Sequence, residues 1–315
     1  MSDAPAAAAA AANTQAANVP DHVVTLEVDD EVGQSIASSS TSVSSSILDY
    51  RIENGRTYHR YKDGNMQHHL FLLTYDDKLG TAPIHEPGRK VGRVLDVGTG
   101  TGIWAIDFGE EHPEAEVLGI DLSAIQPEFT PPNVKFEIDD LEEPWTYSRP
   151  FDYIHSRMMN ACVADWGEYI KRCYDNLNPG GYLELNEWDA MPLSDDGTLG
   201  PDSYTAKALP VLMGALEDMG RPFVDVKTLK SVMIEAGFVD VTMTQFKWPQ
   251  NPWPKETRHK EIAYWANQNL NDGLEAVFMA PLARRLEWTR EEVLVFLVGL
   301  RKEINNRSIH SYISV

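Results

Sequence analysis

One stretch of the chain combines an acid with closely spaced glycines: Val94-Leu95-Asp96-Val97-Gly98-Thr99-Gly100-Thr101-Gly102, an apolar run that ends in Asp96 and then carries glycine at every second position. The pattern reads as a buried parallel strand turning into a helix, where backbone N–H groups are exposed and missing Cβ atoms let a ligand reach the main chain. The dinucleotide fingerprint G-x-G-x-x-G would need its third glycine where Ile103 stands, and the phosphate-cradling loop would need a lysine after its last glycine; this chain has neither. A second acid, Asp121, ends the apolar segment 116–121 about twenty residues after Gly102, the interval at which a carboxylate meets ribose hydroxyls. Asp139-Asp140-Leu141 follows a third short apolar segment. Phe151-Asp152-Tyr153-Ile154 precedes His155, Ser156 and Arg157, which should lie at the carboxyl end of a strand, where open α/β sheets bind their ligands. His155 is the first choice for a general base because imidazole titrates near neutrality; a satisfied core histidine is the competing reading.

The elements that must position these residues alternate between strand and helix. Segments at 94–97, 116–121, 134–138 and 151–155 suit strands, 116–121 being continuous in apolar residues as in a sheet covered on both faces, and the periodicity predicts helices over 67–78, 103–112, 165–177, 204–219 and 225–236. Leu70, Leu73, Tyr75 and Leu79 are the expected buried positions of the first helix. Asn178-Pro179-Gly180-Gly181 should turn the chain into a fifth strand at 182–188, and 238–246 supplies a sixth. Asp225 is the expected cap of the helix that Gly237 terminates. Beyond the Trp248-Pro249-Gln250-Asn251-Pro252-Trp253-Pro254 cluster, which suits an acceptor pocket or a partner surface, the chain reads as helical, its last helix opened by the capping box Thr289-x-x-Glu292. This order predicts an α/β fold with helices on both faces of a parallel sheet.

Composition sets bounds. The 315 residues are 43% hydrophobic and 24% charged, enough for a substantial core. The 27 Lys and Arg against 48 Asp and Glu give a net charge of −21, which repels phosphate backbones, so direct nucleic-acid binding is not expected. The apolar run at 293–300 falls far short of the ~20 residues of a membrane span, and the two cysteines, Cys162 and Cys173, suit a reducing intracellular compartment. No metal-ligand spacing stands out, His68-His69 included. Residues 1–48 read as a disordered, acidic Ala/Ser-rich tail. Residues 49–90 read as an N-terminal helical and lid segment whose aromatic and basic cluster at 50–61 offers Arg56 and Tyr58 to a bound cofactor, and residues 91–315 as the main domain with helical cap insertions.

The glycine turn, Asp121, Asp139-Asp140, the segment from Phe151 to Arg157 and Asn178-Pro179-Gly180-Gly181-Tyr182 together resemble the Rossmann-like class I methyltransferases that use S-adenosylmethionine (SAM). Glu53-Asn54-Gly55-Arg56-Thr57-Tyr58-His59, His68-His69-Leu70, Ala82-Pro83-Ile84 and Arg301-Lys302-Glu303-Ile304 narrow the resemblance to fungal LaeA-like methyltransferases, over about Tyr50 to the end. The resemblance implies SAM as cofactor. Its methionyl end would cross Asp96, Gly98, Thr99, Gly100 and Gly102, its ribose would meet Asp121 beside Leu122, its adenine Asp139 or Asp140 beside Leu141, and Ser156 would border the reacting centre. It further implies control of secondary metabolism and development, velvet-type protein partners, and a nuclear or cytoplasmic location. Two alternatives are methylation of a small molecule, as in natural-product or trans-aconitate-like enzymes, and a SAM-binding scaffold without turnover. No Asn-Pro-Pro-Tyr or Asp-Pro-Pro-Tyr follows the fourth strand, which removes the usual apparatus for methylating nucleobase amines. Two departures from the family stand out: a Pro-Asn-Asp-Glu…Asp-Arg stretch is missing between Asn65 and Gln67, and the family continues past Tyr312-Ile313-Ser314-Val315 into a last strand.

Overall fold

A computed structural model describes residues 20–29, 50–53, 56–59, 66–86 and 88–315. Its centre is a parallel sheet of five strands, β4 (Arg93–Val97), β5 (Glu116–Asp121), β6 (Val134–Ile138), β7 (Phe151–Arg157) and β8 (Leu177–Asn186), in the order β6-β5-β4-β7-β8. The order reverses beside β4. That places the glycine turn at the switch point of the sheet, where ligands of open α/β folds bind.

Helices cover both faces because the strands are apolar on both sides. One face packs Leu95, Ile120, Ile154 and Leu183 against α3 (Trp166–Asp175) and α5 (Thr228–Ala236); the other packs Val94, Val117 and Tyr153 against α2 (Ile103–Glu111). Asp165 caps α3 through the Glu168 N–H, and α1 (Met66–Thr74) begins the chain's described helical part. The helix ends at Thr74, short of the expected 78; Leu70 within it and Tyr75 and Leu79 beyond it are buried, while Leu73 is only half-buried. A second core joins α4 (Tyr204–Asp218), α6 (Thr257–Leu286) and α7 (Arg290–Ile304), the last opened by the reciprocal Thr289–Glu292 capping box.

Four expectations change. The sixth strand does not join the sheet: Thr244–Gln245 (β9) pairs with His22–Val23 (β1), and Lys247–Pro249 (β10) pairs with Tyr312–Ser314 (β11). Alternating polar residues left its partner open, and contacts from distant segments chose it. Asn178-Pro179-Gly180-Gly181 lies within β8 at an irregularity of the β7 pairing, because pairing begins at Phe151 with Leu177. Lys227 occupies the position before α5, and Asp225 instead accepts the Lys227 N–H and, through its carbonyl, the Thr228 N–H. Trp248 and Trp253 offer no exposed partner surface; both are buried, their indole N–H groups donating to the Thr74 hydroxyl and the Ser311 carbonyl.

Residues 20–29, assigned to the tail by composition, dock on the domain through β1, the Lys230–Asp21 and Lys260–Asp29 ion pairs, and a bridge between Val28 and Pro254. Residues 50–53 and 56–59 pair as an antiparallel hairpin, β2 and β3. The side chains of Arg56 and Tyr58 lie outside the described part of the structure, as does most of the expected tail.

Candidate functional site

Three glycines make the turn after β4 possible. Gly98, Gly100 and Gly102 have φ of 68°, 55° and 79°, a region closed to most side chains. A Cβ on Gly98 would lie 2.4 Å from Met159 Sδ, and one on Gly102 would lie 2.4 Å from Phe136 Cζ, so packing as well as dihedral requires these two. Gly100 differs, because a Cβ there would meet nothing within 4 Å. The space over the middle of the turn is therefore open to an incoming group.

Asp96 is buried beneath the turn and holds it from below. Its Oδ2 accepts the Thr99 hydroxyl at 2.6 Å, and its Oδ1 lies 2.7 Å from His155 Nδ1. Asp121 holds the turn from the side: Oδ2 accepts the Gly100 N–H and Oδ1 the Ser123 N–H, both at 2.9 Å, while Gln126 donates to the Gly100 carbonyl at 2.6 Å. A half-buried carboxylate that spends one lone pair per oxygen on backbone keeps capacity for further donors such as ribose hydroxyls. The Asp139 N–H donates to the Asp121 carbonyl, so the two acidic corners adjoin. Asp139 accepts the Asp140 N–H and Asp140 the Glu142 N–H, both at 2.9 Å. Leu122 and Ile138 stand exposed beside the acids, and Leu141 is half-buried. The structure thus gathers Asp96, Gly98, Thr99, Gly100, Gly102, Asp121, Leu122, Asp139, Asp140 and Leu141 around one end of the sheet.

His155 and Ser156 are placed differently from expectation. His155 is 1% exposed, stacked on Trp104 with ring centroids 3.7 Å apart and planes at 7°. Burial pushes its imidazole below the usual value despite the Asp96 carboxylate. It opens onto no solvent that would bring it an acceptor's proton, so the geometry casts it as a support for Asp96 rather than a base. Strand pairing explains this: His155 lies opposite Asp96 in register, which turns its side chain into the layer under α2. Ser156 is likewise fully buried. Arg157, at the strand end, reaches His68 Nδ1 at 3.3 Å and lies over the Phe71 ring, while His68 Nε2 meets Asp107 at 3.0 Å. His68 thus bridges Asp107 and Arg157. Burial raises the thiols of both cysteines, to about 12 at Cys173, which leaves neither as a ready nucleophile.

Sequence reading missed two acids on the fifth strand. Glu184 is buried and accepts the N–H groups of Thr81 and Ala82 at 2.6 and 3.0 Å and the Tyr153 hydroxyl at 2.7 Å. Burial alone would raise its pKa, but the hydrogen bond and charge of His85 with the Thr81 N–H outweigh it and hold the carboxyl at about 2. Glu187, just past β8, is also buried and accepts the N–H groups of Met159 and Asn160 at 2.9 and 2.8 Å; burial raises it to about 8. The signal was two carboxylates at alternate faces of an apolar strand, Leu183-Glu184-Leu185-Asn186-Glu187. Along the outer edge of β8 runs a cavity of about 620 Å³ whose lining includes Tyr75, Leu185, Asn186, Glu187, Met243 and Phe246.

A parallel sheet with a glycine turn at its switch point and acids at the next two strand ends defines a nucleoside-binding α/β enzyme. The methyltransferase-domain family matches residues 66–243, and the chain belongs to it. It is a SAM-dependent methyltransferase of the LaeA-like group. It is similar to methyltransferase pytC of Aspergillus terreus, 39% identical over 91% of this chain and 92% of the relative, and to the secondary metabolism regulator LAE1 of Cochliobolus heterostrophus, 38% identical over 83% and 91%. A solved phosphoethanolamine N-methyltransferase 2 of Haemonchus contortus, in complex with SAM, aligns at 18% identity and a TM-score of 0.42, covering 72% of this chain and 48% of that one, a likeness too slight to add to the assignment.

Proposed function

We propose that this enzyme uses SAM in the regulation of fungal secondary metabolism and development. The observation that carries the cofactor site is the Asp121 carboxylate tied to the Gly100 N–H, with open space over Gly100. In this reading the glycine turn takes the methionyl end, Asp121 the ribose hydroxyls, and Asp139 or Asp140 the adenine amine. Arg56 and Tyr58 are assigned to the cofactor from the sequence alone. Bound SAM supplies a methyl group already made electrophilic by its sulfonium. The chain's own task is then to align donor and acceptor and to exclude water, and a dedicated base is not required.

The regulatory reading is supported by the relative named as a secondary metabolism regulator, 38% identical over 83% of this chain. With it come a nuclear or cytoplasmic location and a velvet-type protein partner, both carried by resemblance. A second reading, methylation of a small molecule, is favoured by one observation: the cavity beside β8 has a volume of about 620 Å³, within the range of small-molecule pockets. Labelled SAM offered to metabolite extracts and to fungal protein fractions separates the two. Label in protein supports the regulatory reading, label in a small molecule supports the second, and tight SAM binding without transfer to either leaves a scaffold.

A further inference from the structure

The turn after β7 is strained where nothing in its sequence demands it. Met158 and Ala161 have φ of 60° and 66°, the left-handed region that costs a side chain of this kind about 1–2 kcal/mol. Between them stand Met159 and Asn160, and both are pinned. Their N–H groups donate to the two oxygens of Glu187. The Asn160 amide nitrogen donates to the carbonyls of Trp188 and Val224, and its oxygen accepts the Val224 N–H at 3.0 Å. Held this way, Met159 lays its sulfur against Gly98, the first glycine of the cofactor turn. Strain that surroundings over-determine at a strand's carboxyl end is a mark of a preorganised site.

Glu187 is an unusual residue to give this work. It is 6% exposed and makes no salt bridge among the described residues; only the two N–H groups offset its charge. The titratable groups around it are the Tyr75 hydroxyl just past α1, the Tyr169 hydroxyl from α3 and the Cys162 thiol from the turn, with Glu184 on the strand that precedes it and, beyond Cys162, Asp121 and Arg221. An ionised carboxylate accepts from both amides at once. A protonated one carries a donor on one oxygen and grips the turn less firmly.

Resting on the SAM reading of the glycine turn, we propose that Glu187 is a positioning residue of the methyl-transfer site: ionised, it clamps Met159 and Asn160 so that Met159 shapes the glycine turn, and cofactor affinity follows its protonation state. The titration falls in a usable window, because burial lifts the carboxyl to about 8.

Calorimetry on the full chain with SAM and with S-adenosylhomocysteine, from about pH 6.5 to 9, tests this. Affinity of the unaltered protein should rise roughly tenfold across that window, the equivalent of one charge-assisted hydrogen bond. Glu187→Gln should bind both ligands at the weaker, low-pH level, without the rise. The ligand's α-amino group titrates in the same range but contributes alike to both proteins, so the difference between their profiles reads Glu187. Cys162→Ala should keep the rise. An unaltered protein whose profile is flat, a Glu187→Gln profile that matches it, or a rise lost in Cys162→Ala overturns the proposal. If Glu187→Gln does not fold, Met159→Ala decides: it should weaken SAM and flatten the pH slope, because the side chain that carries the coupling to Gly98 is gone, and unchanged affinity or a slope kept in full refutes the coupling. Loss of SAM binding by the unaltered protein at every pH would instead refute the cofactor site itself.

Discussion

Replacing Asp121 with alanine is the sharpest perturbation of the cofactor site. Its two oxygens each accept one backbone N–H at 2.9 Å, from Gly100 and Ser123, which leaves acceptor capacity on both for further donors. Two ribose hydroxyls donating there would contribute ~1.5–3 kcal/mol apiece. Because Asp121 is only half-buried, the low end applies, and a total of about 3 kcal/mol corresponds to roughly 100-fold in affinity. Asp121→Asn keeps one acceptor oxygen in place of two and should lose roughly tenfold. Calorimetry with SAM and with S-adenosylhomocysteine is the assay. Both ligands carry the ribose, so both must weaken by the same factor. A change under about threefold, or a loss confined to SAM, would refute a ribose role. A parallel denaturant titration should find stability lowered by no more than about 1 kcal/mol, since the loop is partly solvated.

Other outcomes follow from the same geometry. Gly102→Ala forces a side chain into φ 79° and into Phe136, and should cost about 2–4 kcal/mol in urea unfolding. The two buried acids of the fifth strand should bend the stability curve in opposite directions. Glu184, held at about 2 against an ordinary 4.5, contributes stability present above pH 4.5 and lost as pH falls toward 2, so Glu184→Gln should flatten the acid limb. Glu187, raised to about 8, contributes stability present below pH 4.5 and lost as pH rises through 8, so Glu187→Gln should flatten the alkaline limb. Thermal unfolding across pH reads both, and limbs unchanged by the substitutions would refute the assignments. Thr289→Ala removes the capping box of α7 and should cost about 1 kcal/mol by urea titration.

The core of the fold was legible because its strands are buried on both faces. Segment 116–121 is legible at its observed bounds, since a continuous apolar run between a helix stop and an acid leaves little latitude, and 134–138 is legible from its alternation of apolar and charged residues ahead of Asp139. The stretch 238–246 was not legible. Its alternation of Val, Thr, Met and polar residues is equally compatible with several partners; within it only Thr244-Gln245 forms a strand, which pairs with β1, while the adjoining β10 pairs with β11, partners drawn from the two ends of the chain. Trp248 and Trp253 were ambiguous for a related reason, because aromatic residues serve cores and surfaces alike until the neighbours are known.

By itself the sequence determined the ligand end of the sheet. Glycine spacing and acids at strand ends act through local backbone geometry, which needs no distant partner to be read. Tertiary structure alone decided the role of each polar side chain. Register set His155 opposite Asp96 and turned it under Trp104, and packing brought Glu187 within reach of Met159 and Asn160, the two residues between the strained Met158 and Ala161. Whether a buried polar group supports, titrates or reacts depends on what encloses it, and that enclosure comes from segments far apart in the chain.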